Sequence, residues 1–316
     1  MEQRQMKYQL LIIGVVIGVV YGLIARFDFG ERMTLPSITF FFCVPAVLGI
    51  IPLLFADNDK LKSYTYIIFI PWLTLIVFFW TLYSTKYEGL LCLLIMAAPY
   101  IAIATIAAFI YRVVRINRQK KNGKLLTLVL IPFLLGPIEE YIERPSATYT
   151  VRSEVIISAT PETIWSNIVE VSTIRDNEYN AGVLNELGIP RPIGATVDKM
   201  AVGGQRIGRF EGGLRFVETI TRYEPNSFIS FDITVDPNTV RPIVFDQHVL
   251  NGNYFSFVDA SYELVPVNNG QVRLILSSKY QLTSTINYYG KIWGDIILED
   301  FQDRLLDVIA KRCEAK

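Results

Sequence analysis

The sequence predicts an α-helical transmembrane bundle followed by an α+β domain, in which a curved antiparallel sheet wraps a long C-terminal helix. Three observations predict it. Hydrophobic residues make up 51% of the 316-residue chain and concentrate before about residue 140, whereas most of the charge lies after it. From residue 147 the hydrophobic period falls to two, in segments separated by glycine-rich turns. The chain then closes on an amphipathic stretch over 286–312, with a period close to four. The boundaries that follow are a membrane region over 1–142 and a second domain over 147–316.

Within the membrane region, segments 8–25, 37–56, 64–83 and 89–111 are each long enough to cross a bilayer, which takes about 20 apolar residues. None contains an internal Asp, Glu, Lys or Arg. Pro45, Pro52, Pro71 and Pro99 lie inside them, tolerated where neighbouring helices satisfy the freed carbonyls. The first segment lacks a clean signal-peptidase exit and is read as an anchor. Arg4 and Lys7 precede the first span, and the run 112–124 after the fourth carries six Lys or Arg and no acid, which places both ends in the cytoplasm. The apolar stretch 125–138 has 14 residues, about 21 Å of helix against a core of about 30 Å. It is either a short fifth span, which puts the second domain on the outer (periplasmic or extracellular) face, or an interfacial segment, which keeps it in the cytoplasm; we expect the fifth span. The expected setting is a multi-pass protein of the bacterial cytoplasmic membrane. No ionisable residue stands at mid-span and no inverted repeat is visible, so the region reads as an anchor rather than a transporter.

The second domain opens on an alternating strand with Val151, Val155 and Ile157 on one face. A helix follows, with Thr160 as N-cap, Pro161 at its first position and Ile164, Trp165 and Ile168 as its apolar stripe. Residues 174–194 read as a loop with a short second helix, closed by two prolines. Strands are expected around 204–211 and 214–224, joined by Gly212-Gly213, and over 227–236, with Ile229, Phe231, Ile233 and Val235 inward. A loop over 237–254 interrupts the sheet. Two more strands follow, with Val258, Ala260, Tyr262 and Leu264, then Val272, Leu274, Leu276 and Tyr280, on the inner face. The closing helix presents Tyr289, Trp293, Ile297, Phe301, Leu305 and Ile309, widened by Ile292, Ile296 and Val308. A single helix covers such a sheet incompletely where the sheet flares, which leaves an apolar hollow.

The stretches "SATPETIWSNIVEV", "FVETITRYEPNSFISFDI" and "YGKIWGDIILEDFQDRLLDVIAKRCE" resemble the SRPBCC superfamily, the START and Bet v 1-like helix-grip fold that includes polyketide cyclase/dehydrase-type proteins. The resemblance covers roughly 150–313. It implies a cavity for a hydrophobic molecule and, in some members, catalysis; catalytic residues differ between subfamilies and none is carried over.

The leading expectation is membrane-tethered binding or presentation of a hydrophobic small molecule, possibly lipid-derived. Phe216, Phe231, Tyr262, Tyr280 and Trp293 would line the cavity, with 237–254 as a lid. An enzyme of cyclase, dehydratase or hydrolase type is the alternative, using Asp246, His248 or Glu218 for proton transfer. A sensory or protein-interaction module with a filled cavity is a third reading. Glu218 shares its strand face with Phe216 and Ile220, and is either an isolated carboxylate in an apolar wall or the partner of Arg206, Arg209 or Arg215. Gly290 and Gly294 thin the final helix, either for close packing or to make room for a ligand. Other chemistries find no support. The chain has one histidine, three scattered cysteines and a net charge of +0, which argues against a histidine-based zinc site, a disulfide framework and a nucleic-acid partner. There is no dinucleotide or phosphate-binding loop, and no cofactor or metal is expected.

Overall fold

The computed structural model describes residues 2–32, 37–117 and 126–315. It comprises two compact units, Met1–Arg144 with Ser284–Ile286, and Pro145–Thr283 with Asn287–Lys316.

The first unit is helical: α1 (Glu2–Arg32), a π-helical turn (Thr39–Cys43) running into α2 (Val44–Leu54), α3 (Asn58–Lys62), α4 (Tyr64–Ser84), α5 (Leu90–Asn117) and α6 (Leu126–Glu140). Three stretches, Tyr8–Phe27, Tyr64–Ser84 and Leu90–Ile116, are long and apolar enough to cross a membrane. The segment expected over 37–56 is shorter as a helix, Thr39–Leu54, and the one expected over 125–138 includes the apolar stretch Val129–Glu139. Of the basic run 112–124, Arg112 and Arg115 extend α5, while 118–124 lies outside the described residues.

Proline explains the local chemistry of the second helix. In a π-helical pattern the carbonyl of Phe40 would accept from residue 45, which is a proline without an N–H. Tyr100 donates its hydroxyl to that carbonyl instead, at 3.0 Å. The free amides at the start of the same helix are met by Glu139, whose carboxylate accepts from Ile38 N at 2.6 Å and Thr39 N at 2.9 Å. Arg26 and Glu88, outside the apolar mid-spans, form a buried pair with Nε to Oε1 at 2.7 Å.

In the second unit the elements are β1 (Ser146–Ile157), α7 (Pro161–Val169), α8 (Val183–Glu186), β2 (Pro192–Val197), β3 (Gln205–Phe210), β4 (Arg215–Glu224), β5 (Phe228–Val235), α9 (Val244–Leu250), β6 (Phe255–Pro266), β7 (Val272–Thr283) and α10 (Asn287–Glu314). The seven strands form one antiparallel sheet in the order β1-β7-β6-β5-β4-β3-β2, and α10 packs chiefly on β1, and also on α7 and β7. Thr160 caps α7 as expected, accepting from Thr163 N at 3.3 Å. The β3–β4 hairpin turns through Gly212, whose φ of 74° is open to glycine at little cost.

Four expectations are corrected. Residues 192–197 form a strand, not the end of a loop: β2 is short, starts on a proline and is an edge, so its pattern is weak. The stretch 237–254 is not irregular throughout, since it contains α9. Val258 points outward, because a bulge between Phe257 and Asp259 shifts the register and turns Phe257 inward in its place. On α10, Ile292 and Ile296 are exposed. The row that meets the sheet is Gly290, Gly294, Leu298, Gln302, Leu305 and Ile309: Leu305 and Ile309 are as expected, and the N-terminal part is shifted one position from Tyr289, Trp293, Ile297 and Phe301. The two glycines serve close packing. A Cβ on Gly294 would lie 2.7 Å from the Tyr280 hydroxyl, and one on Gly290 would lie 2.9 Å from Leu282.

Candidate functional site

The apolar interior between sheet and helix has two parts. Around the C-terminal half of α10, Leu305, Leu306, Val308 and Ile309 pack against Ile164, Trp165 and Ile168 of α7 and the inward residues of β5, β6 and β7, and this cluster is sealed. Around the N-terminal half, a smaller cluster of Val151, Tyr280, Leu282 and Leu298 is bordered by half-buried Tyr149, Phe255 and Phe257.

The sheet opens beside this smaller cluster. β5 and β6 pair only from Phe228↔Glu263 to Asp232↔Asp259, and beyond that β5 continues beside β4 while β6 continues beside β7. The bulge at Val258 sits where the two part company. Aromatic rings line the gap in an unbroken arc. Phe301 of α10 lies 5.9 Å from Phe210 of β3, Phe210 lies 4.6 Å from Phe216 of β4, and Phe216 lies 5.0 Å from Phe257 of β6. Phe257 and Phe255 stand 5.0 Å apart, and Phe255 stacks on Tyr280 of β7 at 5.6 Å. Phe216, Phe255, Phe257 and Phe301 keep partial exposure within this arc, as does Trp293 further along α10.

Of the expected lining residues, Phe216 belongs to this arc, and Trp293 is half-buried on the same helix as Phe301. Tyr280 closes one end of the arc with its hydroxyl turned into α10, donating to Asp295 Oδ1 at 2.7 Å and lying 3.2 Å from the Lys291 carbonyl. Burial, reinforced by Asp295, pushes that phenol well above its ordinary range. Phe231 and Tyr262 sit in the sealed cluster. Phe210, Phe255 and Phe257 were not singled out from the sequence. The Phe-x-Phe spacing at 255 and 257 was a usable signal, hidden by the bulge that inverts the pattern after it.

The titratable candidates lie apart in function. Arg206 and Glu218 are directly opposite on β3 and β4, both inward and both buried, and form an ion pair. Arg206 also donates to the carbonyls of Val169 at 3.0 Å and Ile168 at 3.2 Å, so it satisfies the end of α7. The Tyr262 hydroxyl meets the same guanidinium, and burial lifts the phenol to about 12. Asp246 is buried on α9 and held by both arms of Arg241, at 2.7 and 2.8 Å. Arg241 also donates to the Gly188 carbonyl at 2.7 Å, which straps α9 to the loop after α8. His248, half-buried, lies two positions further along the same helix. Side chains two apart on a helix do not face each other. Each carboxylate thus has an arginine, and Asp246 and His248 leave the helix in different directions.

No family model matches the chain, and no curated protein matches it. Among solved structures, it is similar to a protein from Nitrosospira multiformis at 16% identity, covering 53% of this chain and 97% of that one with a TM-score of 0.34. It is similar to the Mll3558 protein from Rhizobium loti at 15% identity, with 53% and 99% covered and a TM-score of 0.32. A truncated norcoclaurine synthase from Thalictrum flavum is similar at 14% identity, with 55% and 99% covered and a TM-score of 0.36. These neighbours include Bet v 1-like and START-type structures over about half of the chain.

Proposed function

We propose that the protein binds or presents a hydrophobic small molecule, held in the aromatic hollow of a domain tethered to a membrane by its N-terminal helices. The observation that carries the reading is the arc from Phe301 to Phe255, in which Phe301, Phe216, Phe257 and Phe255 stay partly exposed beside a sealed core. Apolar walls of this kind favour a ligand with little polar surface. Tethering suits such a ligand, which dissolves in a bilayer and would cross little water to reach the hollow. With α6 crossing the membrane, the domain would lie on the outer face. The arginine pairing of Glu218 and Asp246 favours binding over acid–base catalysis, since neither carboxylate is left as a free proton acceptor.

Native mass spectrometry of the full chain released from detergent, with solvent extraction of what it carries, tests this. The wild type should retain an apolar molecule, and Phe257→Lys, which places a charge in the wall, should reduce the retained fraction several-fold. A wild-type chain that is consistently empty and takes up no added lipid or apolar probe would overturn the reading.

A further inference from the structure

One face of α10 changes character part-way along. Tyr288, Ile292 and Ile296 follow one another at four-residue steps and are 79%, 43% and 44% exposed. Glu299 and Asp303 continue the same row and are exposed too. A helix that covers a sheet turns polar side chains to water along its outer face. The C-terminal half of α10 does so, whereas the N-terminal half presents large apolar groups. Half-buried Tyr289 and Trp293 flank the apolar row. The Lys291 ammonium lies over the Tyr149 ring at 5.7 Å and is paired with Asp295. Tyr, Trp and Lys around a short aliphatic stripe suit a membrane boundary, where rings meet headgroups and a lysine reaches water along its own stem.

The path of the chain says what lies near this end of the helix. Asn287, the first residue of α10, follows directly on Ser284–Ile286, which belong to the helical unit. Its Nδ2 donates to the carbonyl of Pro145 at 2.6 Å, and Pro145 follows directly on Met1–Arg144. The crossings at 144–145 and 286–287 therefore meet at the foot of α10. Tyr141 and Ile142, in the last residues before the first of these crossings, are exposed as well. From Asn287 to Ile296 the helix rises about 14 Å, and Asp303 stands about 10 Å further on.

We propose that the first three turns of α10 dip into the headgroup–acyl boundary of the bilayer, with Tyr288, Ile292 and Ile296 against lipid and Glu299 and Asp303 left in water. The proposal rests on the helical unit spanning that bilayer. The acids mark the limit of immersion, since an anionic leaflet repels them. Interfacial helices bury an apolar face only about 5–10 Å deep, which three turns supply. A second copy of the chain fits less well, because a stable interface takes about 800 Å² from each partner, more than three side chains and two flanking rings provide.

Photocrosslinking of the full chain in liposomes of phosphatidylcholine and phosphatidylglycerol tests it. The probe is p-benzoylphenylalanine, placed singly at Tyr288, Ile292, Ile296 or Asp303, and at Ile76, an exposed residue in the middle of α4, as the control for spanning. Mass spectrometry of the irradiated chain should show phospholipid adducts at Ile292 and Ile296 several-fold above those at Asp303. Adducts at Ile76 with no more at Ile292 and Ile296 than at Asp303 overturn the proposal and leave the membrane tether standing. Crosslinks from Ile292 or Ile296 to a second chain in place of lipid overturn it in favour of a dimer. Absence of adducts at Ile76 as well overturns the tether and the proposal together. Tyr288 and Ile296 report the same contact if the variant at Ile292 does not fold.

Discussion

Arg206 gathers the end of α7, the wall of β4 and the hydroxyl of Tyr262 around one buried guanidinium, and Glu218 neutralises it. Removing one member of a buried pair strands the other charge, which costs more than the pair contributes. Glu218→Leu should therefore lower stability by about 3–5 kcal/mol, whereas Arg206→Met with Glu218→Leu should recover much of the loss. Denaturant unfolding of the full chain, read by tryptophan fluorescence, separates the two variants; equal losses would mean that the ion pair is not the unit that matters. The partner of Glu218 was legible in principle. Arg209 pairs across the hairpin with Arg215 on the outer face, so strand alternation alone leaves Arg206 to share the inner face with Glu218. The second role of Arg206, on the carbonyls of α7, was not legible, because α7 and β3 are distant in sequence and meet only in the fold.

Among the elements, α10 was legible as a long amphipathic helix, with Leu305, Val308 and Ile309 buried as expected, yet the buried face of its N-terminal half was misplaced by one position. A stripe of large apolar residues marks the helix, but the row in closest contact with the sheet uses two glycines and a glutamine, which no hydrophobic pattern reports. The opposite end of α10 anchors the irregular segment after α7. Arg312 donates to both oxygens of Glu178, at 3.0 and 2.9 Å, and to the carbonyls of Ser172 and Thr173. The Arg312 hydrogen bonds, with the Arg175 amide, hold the Glu178 carboxyl down at about 2, against an ordinary value of 4.5. A carboxyl depressed in the folded state stabilises the fold above its ordinary range and loses that contribution as pH falls toward the folded value. Thermal melting of the wild type should therefore decline between about pH 4.5 and 2. Glu178→Gln should melt lower at neutral pH and show a flatter profile across that window; an unchanged profile would show that the clasp does not hold the segment.

At the scale of the whole molecule, composition alone separated an apolar helical part from a mixed part, because the density of apolar residues differs sharply between the two. Three stretches meet the length and hydropathy that a bilayer demands. The chain should accordingly stay with the membrane fraction through alkaline carbonate washing and leave it only with detergent; release by carbonate alone would exclude spanning helices. The six strands with clear alternation were legible, while the proline-led edge strand and the gap between β5 and β6 were not, since the pattern of a single strand does not report where its neighbours separate. The bulge at Val258 shows what is at stake in that separation. It lets one strand change parity half-way along, so that Tyr262 serves the sealed core and Phe257 the aromatic arc from the same side of the sheet. A redesign that smoothed β6 into uninterrupted alternation would be forced to choose between them, and would either unseat the core or turn Phe255 and Phe257 out into water.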